Sequence, residues 1–458
     1  MNPLESFGFI TEDTRIVLMD PFGKIIYTTA SYFESRGLNG PKFPKLKILS
    51  KNGKFTNLTN VRVFIDGSRI NVIRASHGTI KVTDNCIIPI YRNREYMEIP
   101  AKDVKTNDCL VEVSLKNIVK EEDKLQEINL IDMIPFHSNI SVVSTPKLAK
   151  LIADIAPNIS EENKIKIAAG KLIPLDYYKL IHSKLGDVID ENELNLIIKM
   201  KYTSTKPIPA KYKLTREFGR FYGLFYSEGY IDDYDNRICI TNCDPEIIDF
   251  AKMYLAKLLH RDKVNINVKT NGCSHIRLSS SLFASLFRNG VLGIHRGSGN
   301  LKLPEWFFFA NDDFLKGFLS GVIDGDGFVT PQSYTRIKTS SETFAEDIQA
   351  ICSRLGYIVS VCVEKTKGER VCINGIPCTR NFDNYVITIN NPDIVDMNLY
   401  DSIKARKLHG YIDERTRRRN RTYDNRVSHI DSYDFNGYVY QIETADHYFA
   451  AGTQLLHD

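Results

Sequence analysis

Two nine-residue stretches of this chain share one pattern: Phe221-Tyr222-Gly223-Leu224-Phe225-Tyr226-Ser227-Glu228-Gly229 and Leu319-Ser320-Gly321-Val322-Ile323-Asp324-Gly325-Asp326-Gly327. Each is a largely apolar run with glycine at its third position, and each closes on an acid followed by glycine. A helix that is apolar all round packs against other elements, and a residue without a side chain lets two backbones approach closely. Pairing of the two helices through Gly223 and Gly321 would therefore place Glu228 and Asp326 side by side.

The paired acids are the candidate functional feature. Like charges share a site at a cost, whereas carboxylate oxygens are good ligands for a divalent cation. One motif alone would say little, and the alternative interpretation is two core helices whose acids merely start turns. The segments that lead into the motifs, Leu214–Gly219 and Asp313–Phe318, also correspond, which favours a metal site.

The sequence that follows each motif repeats as well. Period-two alternation predicts strands over 237–241 and 334–339, and i, i+3, i+4 spacing predicts helices over 245–255 and 343–355. Each half thus begins as an αββα unit, and the two halves should be related by a pseudo-twofold axis along the paired helices.

Residues 206–412 resemble the LAGLIDADG homing endonucleases with two motifs. The resemblance implies an α+β fold of two pseudo-symmetric αββαββα halves with saddle-shaped sheets. It also implies a site-specific endodeoxyribonuclease that makes a staggered double-strand cut in a long asymmetric DNA target. Glu228 and Asp326 would be catalytic and would hold Mg²⁺, with Mn²⁺ able to substitute. Glu228 stands where aspartate is commoner, but its oxygens remain hard ligands.

The same resemblance supplies further candidate residues. A lysine near each site would be Lys302 and Lys407, with Lys404 competing with Lys407; the alternative for each is a lysine on the surface. Alternating polar residues of the strands would read bases in the major groove; these are Asp233, Asn236, Arg237, Arg277, Ser279, Arg336 and Lys338. The basic run that holds Arg417, Arg418 and Arg419 would contact phosphates, or it is a solvated linker.

The two chain ends together resemble the splicing (Hint) domain of inteins, an all-β, horseshoe-like fold. At the C-terminus, Gly437–Asp458 has the pattern of a strand, an acidic turn with His447, and an apolar strand that ends in His457 and Asp458. At the N-terminus, three segments resemble the early intein blocks; these are Glu12–Leu18, Gly78–Cys86 and Leu110–Val113. Each segment alone would be an ordinary strand, but their order at both ends of an endonuclease insert favours the resemblance.

Four positions decide whether this domain could splice. Thr83 fits the family pattern, but Cys86 stands where a histidine is usual. The first position falls on or near Gly8, which carries no nucleophile. The last residue is Asp458 rather than asparagine, and nothing follows it. We therefore expect splicing to be altered or impaired, either because the chain is trimmed or changed or because its splicing chemistry has been lost.

The chain is predicted to divide into four parts: residues 1–120 and 413–458 for the splicing domain, 121–205 for a small helical insert, and 206–412 for the endonuclease. Helical spacing occurs over 147–155, 161–171, 174–185 and 191–202. The insert is either a spacer that packs the domains together or an arm that recognises DNA.

Composition limits the remaining possibilities. The 458 residues are 43% hydrophobic with net charge +4, so any DNA surface depends on local clusters of the 60 Lys and Arg. The absence of a long apolar run or secretory start predicts no membrane segment and an intracellular, cytoplasmic or nucleoid-associated protein. Nine cysteines without a C-x-x-C pair argue against a disulfide framework or a structural zinc site. The expected partners are double-stranded DNA and a host extein in cis, and we expect a monomer.

Two alternative functions compete with a homing endonuclease in an intein. The first is a LAGLIDADG protein that binds nucleic acid without cutting, which the retention of both acids disfavours. The second is a self-processing intein with an inactive nuclease, which Gly8, Cys86 and Asp458 disfavour.

Overall fold

The computed structural model describes residues 8–40, 45–67, 69–136, 139–155, 172–185, 189–198, 206–232, 236–261, 264–268, 272–295, 297–330, 334–373, 376–409 and 424–458. The chain divides into two compact units. Unit 1 comprises Met1–Lys124, Val329–Asp396 and Gly410–Asp458, and unit 2 comprises Leu125–Phe328 and Met397–His409. Residues 329–396 thus group with the chain ends, whereas the sequence had grouped them with 206–328; the four-part division stays a prediction.

The elements follow one another in four groups. The first is β1 (Ile10–Thr11), β2 (Arg15–Met19), β3 (Ile25–Thr29), α1 (Ser31–Ser35), β4 (Lys47–Leu49), β5 (Phe55–Asp66), β6 (Arg69–Ala75), β7 (Gly78–Thr83), β8 (Ile87–Arg92), β9 (Glu95–Pro100) and β10 (Cys109–Leu110). The second is β11 (Glu127–Asn129), α2 (Leu130–Met133), β12 (Ile140–Val143), α3 (Pro146–Ile155), β13 (Leu172–Pro174), α4 (Leu175–Leu185), β14 (Asn195–Ile198), β15 (Ile208–Pro209) and β16 (Lys211–Lys213). The third is α5 (Arg216–Glu228), β17 (Gly229–Asp232), β18 (Arg237–Asn242), α6 (Pro245–Leu258), β19 (Asn265–Val268), β20 (Ser274–Ser279), α7 (Ser281–Arg288), β21 (Ile294–His295) and β22 (Leu301–Lys302). The fourth is α8 (Asp312–Asp326), β23 (Gly327–Thr330), β24 (Tyr334–Thr339), α9 (Glu342–Arg354), β25 (Ser360–Glu364), β26 (Arg370–Ile373), β27 (Ile376–Thr379), β28 (Asn384–Asn390), α10 (Asn391–Asp396), β29 (Val427–Asp434), β30 (Gly437–Thr444), β31 (Tyr448–Ala451) and β32 (Gln454–His457).

In unit 1, the two ends of the chain build the same sheets. One sheet has the order β29-β6-β7-β1-β30-β5-β4-β2-β3, and a second has β10-β8-β32-β31 with β9 beside β8. Strand β30, from the C-terminal part of the chain, lies between β1 and β5 and completes a sheet that the N-terminal strands begin. Buried aliphatic side chains on these strands, such as Ile16, Ile73 and Leu456, form one continuous core.

Helix α9 belongs to the same unit and is joined to these strands by one buried and one partly buried ion pair. Arg15 on β2 donates to Asp347 on α9 at 2.7 Å, and both side chains are nearly inaccessible to solvent. Arg74 on β6 donates to Glu342 at 3.0 Å. Buried charges of this kind persist when they are paired and hydrogen-bonded.

In unit 2, α5 and α8 form a closely packed helix pair. Thr215 accepts from the Phe218 N–H at the start of α5, and Asn311 accepts from the Phe314 N–H at the start of α8, so both helices have side-chain N-caps. A Cβ added at Gly223 would lie under 3.0 Å from the Phe318 carbonyl oxygen. The glycines of the predicted contact thus lie where the backbones touch.

The contact repeats along both helices. Gly219 and Gly223 on α5 face backbone atoms of α8, and Gly317 and Gly321 on α8 face backbone atoms of α5. The four-residue spacing places each pair on one helix face. The motifs themselves contribute Gly223 and Gly321, and the segments that lead into them contribute Gly219 and Gly317.

Two consecutive series of elements have the same order. The first is α5-β17-β18-α6-β19-β20-α7, with the sheet order β17-β18-β20-β19 in unit 2. The second is α8-β23-β24-α9-β25-β28-α10, with the sheet order β23-β24-β28-β25 and the hairpin β26-β27 inserted before β28.

The insert corrects one prediction. Residues 191–202 had been predicted as a helix, but Asn195–Ile198 is a strand that pairs with Ile140–Val143 in the four-stranded sheet β13-β12-β14-β15. Leu194 and Leu196 are both buried, and the β-branched Ile197 and Ile198 favour a strand once a partner strand is available. The segment is therefore mixed α/β in its described residues; 161–171 lies outside them.

One disulfide was not foreseen from the sequence. Cys243, which follows β18, is bonded to Cys273, which precedes β20. The two residues are 30 positions apart, and adjacent antiparallel strands bring their positions together. Sequence spacing could not show this proximity, because it arises only when the sheet forms.

The helix contact predicts a sharp difference between glycines. Gly321→Ala should lower the free energy of unfolding by at least about 1 kcal/mol, because the added Cβ would collide with the backbone of Arg220 and Leu224. Gly67→Ala is the matched control, since no atom lies within 4 Å of a Cβ there. Thermal unfolding measures both, and equal melting temperatures would contradict the close packing.

Candidate active site

The two motif acids are the last residues of the paired helices. Glu228 ends α5 and Asp326 ends α8. The C-terminal end of a helix carries partial negative charge, which disfavours a carboxylate. Their separation is small, because a Cβ at Gly325 would lie 3.1 Å from Glu228 Cγ, and the charge of Glu228 raises the pKa of Asp326. The helix pairing therefore concentrates negative charge at one point.

The surroundings of Glu228 hold its carboxylate in place. Asn242, the last residue of β18, donates through Nδ2 to Glu228 Oε1 at 3.3 Å. Burial raises the pKa of Glu228, while the charge of Lys404 and the hydrogen bond from Asn242 act against that rise. Asn242 was not among the sequence candidates, and its position at the end of a strand that follows the motif was the only signal for it.

Asp326 is the more strongly perturbed acid. Its carboxylate stays open to solvent at the tip of α8. The protein around it removes part of its hydration, and together with the charge of Glu228 this raises the pKa of Asp326 to about 7, against the opposing charge of Lys404. An acid with such a pKa gains much from a nearby cation.

Lys404 is the lysine that the structure places beside the acids. Its Nζ donates to the carbonyl oxygens of Gly325 at 2.7 Å and Gly327 at 2.9 Å, the two residues that flank Asp326. Burial lowers the pKa of Lys404, and the charges of the neighbouring acids partly restore it. Lys407, the alternative in the sequence, is exposed three residues further along.

Lys302 lies at the end of β22 and is half-buried. Its carbonyl oxygen accepts a hydrogen bond at 3.0 Å from the hydroxyl of Tyr226, a residue of the first motif. The backbone of Lys302 is thus held against α5 at Tyr226, two residues before Glu228.

The acid pair fits a divalent cation with an incomplete protein shell. Among the residues that the structure describes, no group of three or more His, Cys, Asp or Glu side chains is arranged to hold a metal ion. Two carboxylates are a suitable set for Mg²⁺, which keeps several waters and takes further oxygens from substrate phosphates. Glu228 and Asp326 would hold it.

The predicted base-reading residues lie on the strands. Arg237 and Arg277 share one face of the sheet in unit 2, because Arg237 pairs with Ser279 and Cys239 with Arg277. Arg336 and Lys338 are exposed on one face of β24, whereas Thr335, Ile337 and Thr339 are buried. Lys338 is paired with Glu364. Asp233, Arg417, Arg418 and Arg419 lie outside the described residues.

At the start of the chain, Gly8 lies directly against Cys86. A Cβ at Gly8 would be under 3.0 Å from Cα and Cβ of Cys86. Thr83 Oγ1 accepts from the Phe9 N–H at 2.9 Å, and the Thr83 N–H donates to the Phe9 carbonyl at 3.0 Å. Burial raises the pKa of the Cys86 thiol to about 12, so this sulfur stays protonated near neutral pH. Gly8, Thr83 and Cys86 thus lie together, with no side-chain nucleophile at position 8 and no histidine at position 86.

At the end of the chain, the Asp458 carboxylate is held by several donors. Thr444 donates to Oδ2 through its N–H and its hydroxyl, the latter at 3.0 Å, and His447 Nδ1 lies 3.1 Å from Oδ1. His457 Nε2 lies 3.8 Å from Glu98 Oε2. Glu98 also accepts from the Tyr448 hydroxyl, a contact across 350 positions that the sequence could not indicate.

One protein-family model matches the part of the chain that contains the second motif. Residues 313–394 match the family model described as "LAGLIDADG-like domain", which confirms the resemblance there. This stretch runs from the start of α8 to α10 and includes Asp326.

The curated proteins that are similar to this chain are of very different kinds. It is 26% identical over 377 residues to the DNA-directed RNA polymerase subunit Rpo1C of Methanocaldococcus jannaschii, covering 78% of this chain and 40% of the relative. It is 27% identical over 184 residues to an iron-sulfur cluster assembly SufBD family protein of Mycobacterium tuberculosis, covering 37% and 21%. It is 26% identical over 275 residues to the reverse gyrase of M. jannaschii, covering 57% and 15%. The chain spans less than half the length of these curated relatives.

Two solved structures are similar to parts of the chain. I-DmoI in complex with DNA and Ca is 18% identical with a TM-score of 0.28, covering 40% of this chain and 87% of that one. The transcription factor IIB Mvu mini-intein is 14% identical with a TM-score of 0.20, covering 24% and 69%.

The raised pKa of Asp326 predicts a pH effect on stability. The folded protein binds this proton more tightly than the unfolded chain, whose carboxyl titrates near 3.8. Stability should therefore fall as pH rises from about 4 to about 7, and Asp326→Asn should remove that loss. In metal-free buffer at pH 8 the variant should melt above the wild type, with the difference shrinking towards pH 4.

Two comparisons complete this experiment. Mg²⁺ at pH 8 should raise the melting temperature of the wild type but not of Asp326→Asn, because a ligand that binds only the folded state stabilises it. Asp249→Asn, at an exposed position of α6, should behave as the wild type. A wild-type melting temperature that is indifferent to both pH and Mg²⁺ would contradict the assigned site.

Proposed function

We propose that this chain is a metal-dependent, site-specific DNA endonuclease of the LAGLIDADG type, carried within an intein whose splicing chemistry is impaired. The observation that carries the proposal is the acid pair at the tips of α5 and α8, with Lys404 bonded to the backbone on both sides of Asp326. The family-model match over 313–394 supports the same class.

The relatives support an inserted element. A polymerase subunit, an iron-sulfur assembly protein and a reverse gyrase have no named activity in common, yet each matches this chain over a minor part of its length. A segment carried inside unrelated hosts would give this pattern. The strands that both chain ends contribute to common sheets support a fold that can bring its own termini together.

The residues would divide the work of phosphodiester hydrolysis. When bound, Mg²⁺ would neutralise phosphate charge and favour both the attacking water and the departing oxygen. Glu228 and Asp326 would hold it, and Lys404 would place positive charge where negative charge develops in the transition state. Arg237, Arg277 and Arg336 would face the DNA from the strands, contacting base edges or phosphates.

We propose that the two chain ends keep the fold of a splicing domain but have lost its splicing chemistry. Gly8 offers no nucleophile, Cys86 replaces the histidine that would act on the first peptide bond, and Asp458 has a carboxylate instead of an amide. An ionised carboxylate is a weak nucleophile at carbon, and here it is fixed by Thr444 and His447.

Digestion of a randomised double-stranded DNA library with Mg²⁺, followed by sequencing of the cut ends, tests the nuclease. We expect one preferred site with staggered ends. Asp326→Asn should slow cutting at least about 10²-fold while leaving DNA affinity unchanged. Asp313→Asn, at the other end of the same helix, is the control. Undiminished cutting by Asp326→Asn would show that the acid is misassigned, and binding without cutting by the wild type would favour a nucleic-acid-binding protein.

Incubation of the protein with thiol tests the chain-end chemistry. By intact-mass measurement we expect no fragment from either end. A thiol cleaves the chain near position 8 only by attacking an ester or thioester that a side chain there has formed, and glycine has no such side chain. Release of a defined fragment beginning or ending near Gly8, or loss of mass at Asp458, would overturn the proposed impairment.

A further inference from the structure

The residue two positions before each catalytic acid makes an unusual contact. In the second motif this residue is Asp324, a buried carboxylate two residues before the end of a largely apolar helix. Its Oδ1 accepts from the Ser402 hydroxyl at 2.8 Å, the Ile403 N–H at 2.7 Å and the Lys404 N–H at 3.4 Å. Its Oδ2 accepts from Arg220 on α5 at 2.9 and 3.1 Å.

The first motif has a counterpart at the same place. Tyr226 lies two residues before Glu228 and is also buried. Its hydroxyl, which has a single hydrogen to donate, lies 3.0 Å from the carbonyl oxygen of Lys302 and 3.3 Å from that of Leu292. In both motifs, therefore, the side chain at this position bonds to the backbone of a lysine that is a catalytic candidate.

The contacts of Asp324 fix the start of a short turn. Ser402 Oγ, which donates to Asp324, also accepts from the Ala405 N–H at 3.1 Å at the beginning of the 3₁₀ turn Ala405–Leu408. Lys404 is the residue immediately before that turn, and its Nζ reaches the carbonyls on both sides of Asp326. One carboxylate thus joins α5, α8 and the lysine segment.

A purely structural role explains this arrangement poorly. A buried carboxylate costs free energy unless it is paired and hydrogen-bonded, and an apolar residue at position 324 would suit the helix interface with less cost. What Asp324 provides instead is a fixed backbone position for residues 402–404.

We infer that Asp324 is the positioning residue for Lys404, and that Tyr226 has the same role for Lys302. The inference rests on the proposed nuclease function for its consequence in cutting, but the geometry can be tested without it. The two residues differ in chemistry because one segment presents N–H groups and the other a carbonyl oxygen.

The first experiment measures the chemical reactivity of lysines and needs no DNA. Brief acetylation followed by peptide mass spectrometry gives the labelling rate of Lys404 relative to Lys407. In the wild type, Lys404 should react more slowly than the exposed Lys407. In Asp324→Ala its rate should rise towards that of Lys407, and in Asp324→Asn, which keeps an acceptor oxygen, the rise should be smaller. An unchanged rate for Lys404 in Asp324→Ala would overturn the inference whether or not the protein cuts DNA.

The second experiment is a double-mutant cycle on cutting. Asp324→Ala should reduce the single-turnover rate about 10²-fold, the cost expected from a displaced catalytic group, with unchanged DNA affinity in Ca²⁺. In a Lys404→Met background the same change should cost little more, because both variants remove one function. An equal loss in both backgrounds would show that Asp324 acts on the fold alone.

The counterpart variant Tyr226→Phe keeps the ring and removes only the hydroxyl. If each lysine serves one DNA strand, the nicked intermediates of Tyr226→Phe and Asp324→Ala should be cut on opposite strands. Accumulation of the same nicked strand in both would overturn the assignment of Tyr226.

Thermal unfolding accompanies every variant. Should Asp324→Ala be unfolded at the assay temperature, Asp324→Asn and Ser402→Ala decide the question, since each weakens the contact without leaving a cavity of a whole side chain. A wild type that cuts no DNA while Lys404 labelling follows the expected order would end the nuclease proposal and leave the positioning role standing.

Discussion

The close approach of α5 and α8 is the constraint on which the site depends. Four glycines let the two helix backbones touch, and a Cβ at any of them would lie under 3.0 Å from the backbone of the other helix. Because both helices end at an acid, this contact alone decides that Glu228 and Asp326 meet. Geometry that serves packing thus determines the spacing of the functional groups, and the interface has little freedom to change.

The resulting site is electrostatically unfavourable as the protein alone forms it. Two carboxylates lie at the negative ends of two helices, and partial loss of hydration together with the charge of Glu228 raises the pKa of Asp326 to about 7. Lys404 offsets part of this charge, while its own burial lowers its pKa. Under the proposed function, a divalent cation would supply the charge that favours ionisation of both acids; strongly perturbed pKa values of this kind cluster at functional sites.

Residue spacing within short segments predicted the elements that short segments determine. The glycine spacing indicated the helix pair, and alternation placed β24 at its observed bounds, Tyr334–Thr339. Contacts between distant segments were beyond it. Arg15 and Asp347 are 332 positions apart, and Cys243 meets Cys273 only through strand pairing. The strand at Asn195–Ile198 was mistaken for a helix because short apolar runs fit both periods.

Gly8 and Cys86, at the start of the chain, are in direct contact. Gly8 leaves no room for a Cβ against the backbone and side chain of Cys86, so a nucleophile introduced at position 8 would have to displace the segment that carries residue 86. Because a histidine at 86 would need still more space than the cysteine, neither change alone would rebuild the site. Under the proposed function, the fold can keep its strands paired around this point because the Thr83 bonds to Phe9 do not depend on either side chain. Loss of splicing chemistry is therefore compatible with a stable scaffold, and the helix pair in unit 2 retains its acids independently of it.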